Sequence, residues 1–167
     1  EEVGTDIDLV QAVAGETVLI ERLLSDPADA RMRADLLVEM RRTGELLAVQ
    51  AVVTRAARLA EKGDLPADVL SAAEVVDPDL FEKACEAEML KVLEALEPIS
   101  KDSSSERYSQ LAEGLTSGSE ALAAFFDGDQ SVMVMTDDLA VRANRLNLLG
   151  ILRNQAGVLA DFSQIKG

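Results

Sequence analysis

The 167-residue chain contains no histidine, no tryptophan and a single cysteine. Without histidine there is no imidazole base, no Ser-His-Asp triad and no His-ligated metal. The lone Cys85 excludes an intrachain disulfide and a zinc site built from cysteines, and one unpaired thiol fits a reducing compartment. Aromatic residues make up only 3%, which argues against a β-sandwich or barrel. No apolar run approaches the roughly 18 residues of a membrane span. The glycines form neither a GxGxxG nor a Walker pattern. The chain opens on Glu1-Glu2, with no Met and no basic, apolar leader. An excised or processed domain without a targeting signal is the expectation.

What is present points to helices. Hydrophobic residues reach 48%, enough for a real core, and Ala, Leu, Glu and Arg dominate. The length suits one domain covering 1–167. Net charge is −15, which taken alone speaks against nucleic acid. That charge is unevenly spread. Residues 1–25 carry −5 and residues 63–100 carry −8, whereas residues 26–62 carry +1. The basic groups sit mainly in 26–62 and near the C-terminus.

Start and stop signals divide the chain into about six helices. Thr5, Asp6 or Asp8 opens a first helix to about Leu24. Asp26-Pro27 opens a second, which ends at Arg41-Arg42-Thr43-Gly44 with bases in the last turn and Gly beyond. A third runs over about 45–62, with Val49, Val52, Val53, Ala56, Leu59 and Ala60 as its apolar stripe. After an acidic connection, 64–76, Asp77-Pro78 opens a fourth to about Leu96, with Phe81, Ala84, Cys85, Leu90, Leu93 and Leu96 inward. A fifth covers about 104–126, with Tyr108, Leu111, Leu115, Leu122 and Phe125 inward and Gly114 and Gly118 weakening its middle. Residues 131–135 (SVMVM) are a short buried extended piece, with Phe125, Phe126, Met133 and Met135 in the core. Asp137-Asp138 caps a last helix to about Leu159. Residues 125–135 should tuck against that helix. The fold class is an all-α bundle.

Two helices carry candidate binding residues. Arg55, Arg58 and Lys62 lie at i, i+3 and i+7, opposite the valine stripe. They are either a phosphate-binding row or a plain solvated face. Arg41 and Arg42 add charge nearby, or simply meet their helix's C-terminal dipole. On the last helix Val141, Leu148, Leu149, Leu152, Ala156 and Leu159 share one side, and Asn144, Asn147 and Asn154 cluster opposite. Arg142 and Arg153 lie at the edge of the apolar side, open to phosphate contact or to structural pairing. Arg145 falls within that side and needs an acidic partner there, Asp127 or Asp138 for example. The ten acids of 63–100 lack EF-hand spacing and read as a solvated face. No catalytic or metal-binding set is apparent, and no cofactor is expected in this domain.

The order of motifs resembles a known family. The run FFDGDQSVMVMTDDLAVRANRLNLLGILRN resembles the end of the DALR anticodon-binding domain. More narrowly, it is similar to the C-terminal domain of the β-subunit of bacterial-type glycyl-tRNA synthetases. The matching pieces are Phe125-Phe126-Asp127, the VMVM of 132–135, Asp137-Asp138, Arg142, Asn144-Arg145-Leu146 and Leu148-Leu149. Upstream, VDPDLFEKACEAEML (76–90) and TRAARLA (54–60) agree in order and spacing. The GDQS insertion looks like the cyanobacterial and plastid branch.

The resemblance implies a non-catalytic module that binds the anticodon arm of glycine tRNA. ATP-dependent aminoacyl-adenylate chemistry would belong to the catalytic α-region or subunit, the other implied partner. It also implies a chloroplast setting, or else the bacterial cytoplasm. The implied contact residues are Arg41, Arg42, Arg55, Arg58, Lys62, Arg142, Asn144, Asn147, Arg153 and Asn154. A competing expectation is a helical scaffold with an acidic docking face. RNA binding calls for exposed arginines on one face, and a scaffold for an exposed apolar patch.

Overall fold

A computed structural model describes residues 27–66, 68–102, 104, 106–127, 132–160 and 162, with side chains from residue 31 onward. The first expected helix lies outside them. The described residues form five α-helices and no strand: α1 Pro27–Thr43, α2 Glu45–Ala60, α3 Ala84–Lys101, α4 Arg107–Ala124 and α5 Leu139–Leu159. The all-α class holds.

The ends of the helices follow local chemistry. Gly44, at φ 90°, occupies the left-handed region between α1 and α2, where a side chain would be strained. Asp138 caps α5 by accepting from the Ala140 and Val141 amides at 3.0 and 3.2 Å. Asp77-Pro78 opens only a three-residue 3-10 turn, Pro78–Leu80, rather than the fourth helix. That helix begins seven residues beyond Asp77, at Ala84. Its start is fixed by Glu86, whose Oε2 accepts from the Glu82 and Lys83 amides at 2.7 and 3.0 Å. It runs past Leu96 to Lys101, with Pro98 inside the last turn.

Two helix pairs make the core: α2 against α5, and α3 against α4. Helix α2 also meets α4, α3 meets α5, and α1 lies mainly on α2. Leu46, Val49, Val52, Val53, Ala56 and Ala60 bury the inward face of α2. Leu111, Leu115, Leu122 and Phe125 do so for α4, and Leu148, Leu149, Ile151 and Leu152 for α5. The inward face of α3 is Cys85, Glu86, Met89, Leu93, Leu96 and Ser100, with Phe81 and Leu90 half-buried and Ala84 exposed. The two glycines of α4 are contact points. A Cβ on Gly114 would stand 2.6 Å from Leu96 Cδ2, and one on Gly118 2.8 Å from Val92 Cγ1.

The 132–135 piece departs from expectation. Only Val134 is buried, while Met133 and Met135 are exposed, and Phe126 is half-buried. The piece stays close to α5 because its backbone is held, the Val132 amide donating to the Phe125 carbonyl and Arg145 reaching the Met133 carbonyl.

Candidate nucleic-acid interface

Helix α2 presents the cationic row. After Glu45 in its first turn the helix carries no further acid, and its cations are Arg55 and Arg58, with Glu61 and Lys62 in the turn that follows. All three are exposed because the valine stripe turns the other way into the bundle. Among the described residues neither Arg58 nor Lys62 has an ion pair. Arg55 is held. Its Nη1 donates to the Asp127 carboxylate at 3.1 Å, and its guanidinium lies 4.9 Å from the centre of the Phe126 ring. The half-exposed arginine is therefore fixed in orientation by an aromatic face and a carboxylate together.

The neighbouring cations differ. Arg42 is exposed and forks onto Glu39 at 2.9 and 2.8 Å, an (i, i+3) pair within α1. Arg41 is half-buried. Arg58 lines a groove of about 760 Å³ between α2 and α5 together with Arg153, Asn154 and Phe162. Arg55 lines a separate cleft of about 300 Å³ between α2 and α4, with Ala51, Ser119, Glu120, Phe126 and Asp127.

The asparagine side of α5 is covered. Asn144 exchanges two hydrogen bonds with the backbone of Asp77, accepting from its amide at 2.6 Å and donating to its carbonyl at 2.9 Å. Asn147 donates to the Val75 carbonyl at 2.7 Å, and Asn154 to the Pro66 and Val69 carbonyls at 2.8 and 2.7 Å. Arg153 donates to the Leu65 carbonyl and to Asn154 Oδ1. Gln155, not singled out in the sequence, adds bonds to the Leu70 and Leu93 carbonyls. These amides serve the acidic connection, which has no helix of its own to satisfy its carbonyls. Arg142 is half-buried near the start of α5.

Arg145 is buried and paired, but not with Asp127 or Asp138. Its Nε donates to Glu86 at 2.9 Å, Nη2 to Glu82 at 2.7 Å and Nη1 to the Met133 carbonyl at 2.8 Å. Burial alone would lower its pKa, but the bonds and charges of Glu86 and Glu82 outweigh this and hold it above the ordinary value. The partners were hard to foresee because Glu86 lies 59 positions away on another helix. Arg33 is a second buried cation, donating to the Leu159 carbonyl and lying over the Tyr108 ring at 5.3 Å.

Among the described residues no cluster of acids and cysteine could hold a metal, and no helix is long and apolar enough to cross a membrane. Exposed apolar side chains also occur, chiefly Met133, Leu139 and Leu47.

No family model matches the chain. Curated relatives do. The chain is 47% identical, over 99% of its length, to the glycine–tRNA ligase β subunit of Acaryochloris marina, and 44% identical over the same share to that of Picosynechococcus. It is 33% identical over its whole length to the β subunit of Acinetobacter baylyi. The chain spans about a quarter of the length of these relatives, between 22% and 24%. From end to end, it is homologous to part of the glycine–tRNA ligase β subunit.

Proposed function

We propose that this chain is a tRNA-binding module of a glycine–tRNA ligase β subunit, a DALR-type domain that grips the anticodon arm of glycine tRNA. The similarity to β subunits over essentially the whole chain carries the reading. The exposed cationic row of α2 supports the placement of the RNA. Arg58 and Lys62 hold backbone phosphates, and Arg41 and Arg42 assist from the end of α1. Phosphate contacts of this kind set position and leave the reading of bases to other groups. Arg142 lies within reach of a neighbouring part of the arm. Asn144, Asn147, Asn154 and Arg153 contribute by shaping the connection beside the groove. Adenylate formation and transfer take place elsewhere in the ligase, in the bacterial cytoplasm or a plastid.

A salt series tests this. Glycine tRNA binding to the full ligase is measured for the natural protein and for Arg58→Ala/Lys62→Ala. Each lost phosphate contact should lower the slope of log K against log salt by about 0.7, so the double variant loses about 1.4. Its melting temperature should stay unchanged, since both side chains are exposed. An unaltered slope and affinity would remove the RNA from this face. A second reading, a docking module, is favoured by the exposed Met133, Leu139 and Leu47. In that case replacing Met133 and Leu139 by Ser would release the module from the rest of the ligase while leaving the salt slope intact.

A further inference from the structure

Arg55 differs from the other cations of its row, and we infer that it is a stacking platform for one unpaired nucleobase of the bound RNA, with Phe126 as its base plate. The inference rests on the tRNA-binding reading above and gives that site a second type of contact. Three observations carry it. The guanidinium carbon stands over the Phe126 ring, 4.9 Å from its centroid, so the cation has an aromatic surface beside it. Its Nη1 is held to both oxygens of Asp127, at 3.1 and 3.3 Å. The side chain is nevertheless 52% exposed, which leaves guanidinium surface toward solvent. The cleft around it measures about 300 Å³ and has small residues, Ala48, Ala51, Ser119 and Ala123, along its walls.

A phosphate-binding arginine needs free N–H groups and gains from mobility. Arg55 has part of its donor fork committed to a carboxylate, which also repels a phosphate. A planar cation engaged by both a ring and a carboxylate suits a different ligand. Unpaired bases stack on aromatic rings and on guanidinium planes alike, and both are available here in one pile. Because the plane is already fixed by Phe126 and Asp127, little side-chain entropy is lost when a base settles on it. Arg58, which has no ion pair among the described residues, lies one turn along α2 and would take the phosphate of that nucleotide.

The test separates charge from plane. Glycine tRNA binding to the full ligase is measured over a salt series for the natural protein, Arg55→Lys, Phe126→Leu and Arg58→Ala. Lysine keeps the charge but has no plane, and leucine keeps bulk but has no ring. Arg55→Lys and Phe126→Leu should each weaken binding by roughly 5- to 100-fold, the range for one stacked base, with the salt slope unchanged. Arg58→Ala should reduce the slope by about 0.7. Glycine tRNAs made abasic at single anticodon-loop positions identify the partner. At one position the natural ligase should lose its advantage over Arg55→Lys. If Arg55→Lys binds like the natural protein while Arg58→Ala still loses slope, Arg55 is an ordinary charge and the platform is refuted, though the RNA remains on this face. If all three variants bind normally, the tRNA-binding reading of α2 fails as well.

Discussion

Arg145 brings a permanent charge into a helix face otherwise made of leucines, and the fold answers with two carboxylates and a carbonyl. Removing Arg145 strands the fully buried Glu86 without its cation, while Glu82 is 64% exposed and stays solvated. Arg145→Ala should therefore cost about 3–5 kcal/mol. Urea denaturation measures it, and a loss below about 1 kcal/mol would show that Glu86 finds another partner. Glu86 has two tasks, since its other oxygen starts α3. Glu86→Gln should keep part of the cap and lose the charge, giving an intermediate loss. The adjacent Cys85 is buried, and burial first, then the negative charge of Glu86, push its thiol above the ordinary 9.0. The folded state thus favours the neutral thiol. The corresponding stability is complete below pH 9.0 and is lost as pH rises through the folded value. Alkylation of native protein by a maleimide should stay slow from pH 7 to 9 and accelerate sharply on unfolding. Fast native labelling would contradict the burial of this thiol.

Among the elements, α3 and α4 show what the sequence conceals. Gly114 and Gly118 read as weak points, each about 1 kcal/mol worse than Ala in an exposed helix. In the fold they are where α3 comes closest. Alanine at 118 would press on the stiff, β-branched Val92, whereas alanine at 114 would meet the terminal methyl of Leu96. Gly118→Ala should lower stability by about 1–3 kcal/mol despite its better helix propensity, and Gly114→Ala by less. Thermal melts of the two variants give the order. Leu148→Ala, at a fully buried site on α5, should cost about 2–5 kcal/mol. The stripes of α2 and α4 were legible because apolar residues recur at helical spacing, and the start of α5 because capping by Asp138 is local chemistry. The start of α3 was not. Asp77-Pro78 carries the stronger helix-opening signal, whereas the helix starts at the cap that Glu86 makes on the Glu82 and Lys83 amides, with no Ser, Thr, Asp or Asn to mark it. The asparagine side of α5 had the same difficulty. A polar face reads as solvent-exposed, and nothing in its spacing tells that a loop without its own hydrogen bonds will lie on it.

For the molecule as a whole, a net charge of −15 sets the condition that the proposed RNA binding has to meet. The row on α2 is local, and a condensed counterion is released only where phosphate meets cation. On the proposed reading, the acids of 63–100 would repel RNA from the surface they cover and leave α2 as the favourable approach, favouring orientation over affinity. Reversing exposed acids in that segment separates these effects. Glu74→Lys/Glu94→Lys changes two exposed side chains of that segment. Binding of the full ligase to an unrelated single-stranded RNA such as poly-U should rise several-fold at low salt. Binding to glycine tRNA at the same low salt should rise much less, because on the proposed reading its contacts are made by the cationic row of α2. The ratio of the two affinities should fall. If glycine tRNA binding rises as much as poly-U binding, the acidic segment is a general brake on RNA and does not orient it. The basic row would then need to hold the arm against the whole molecule's field.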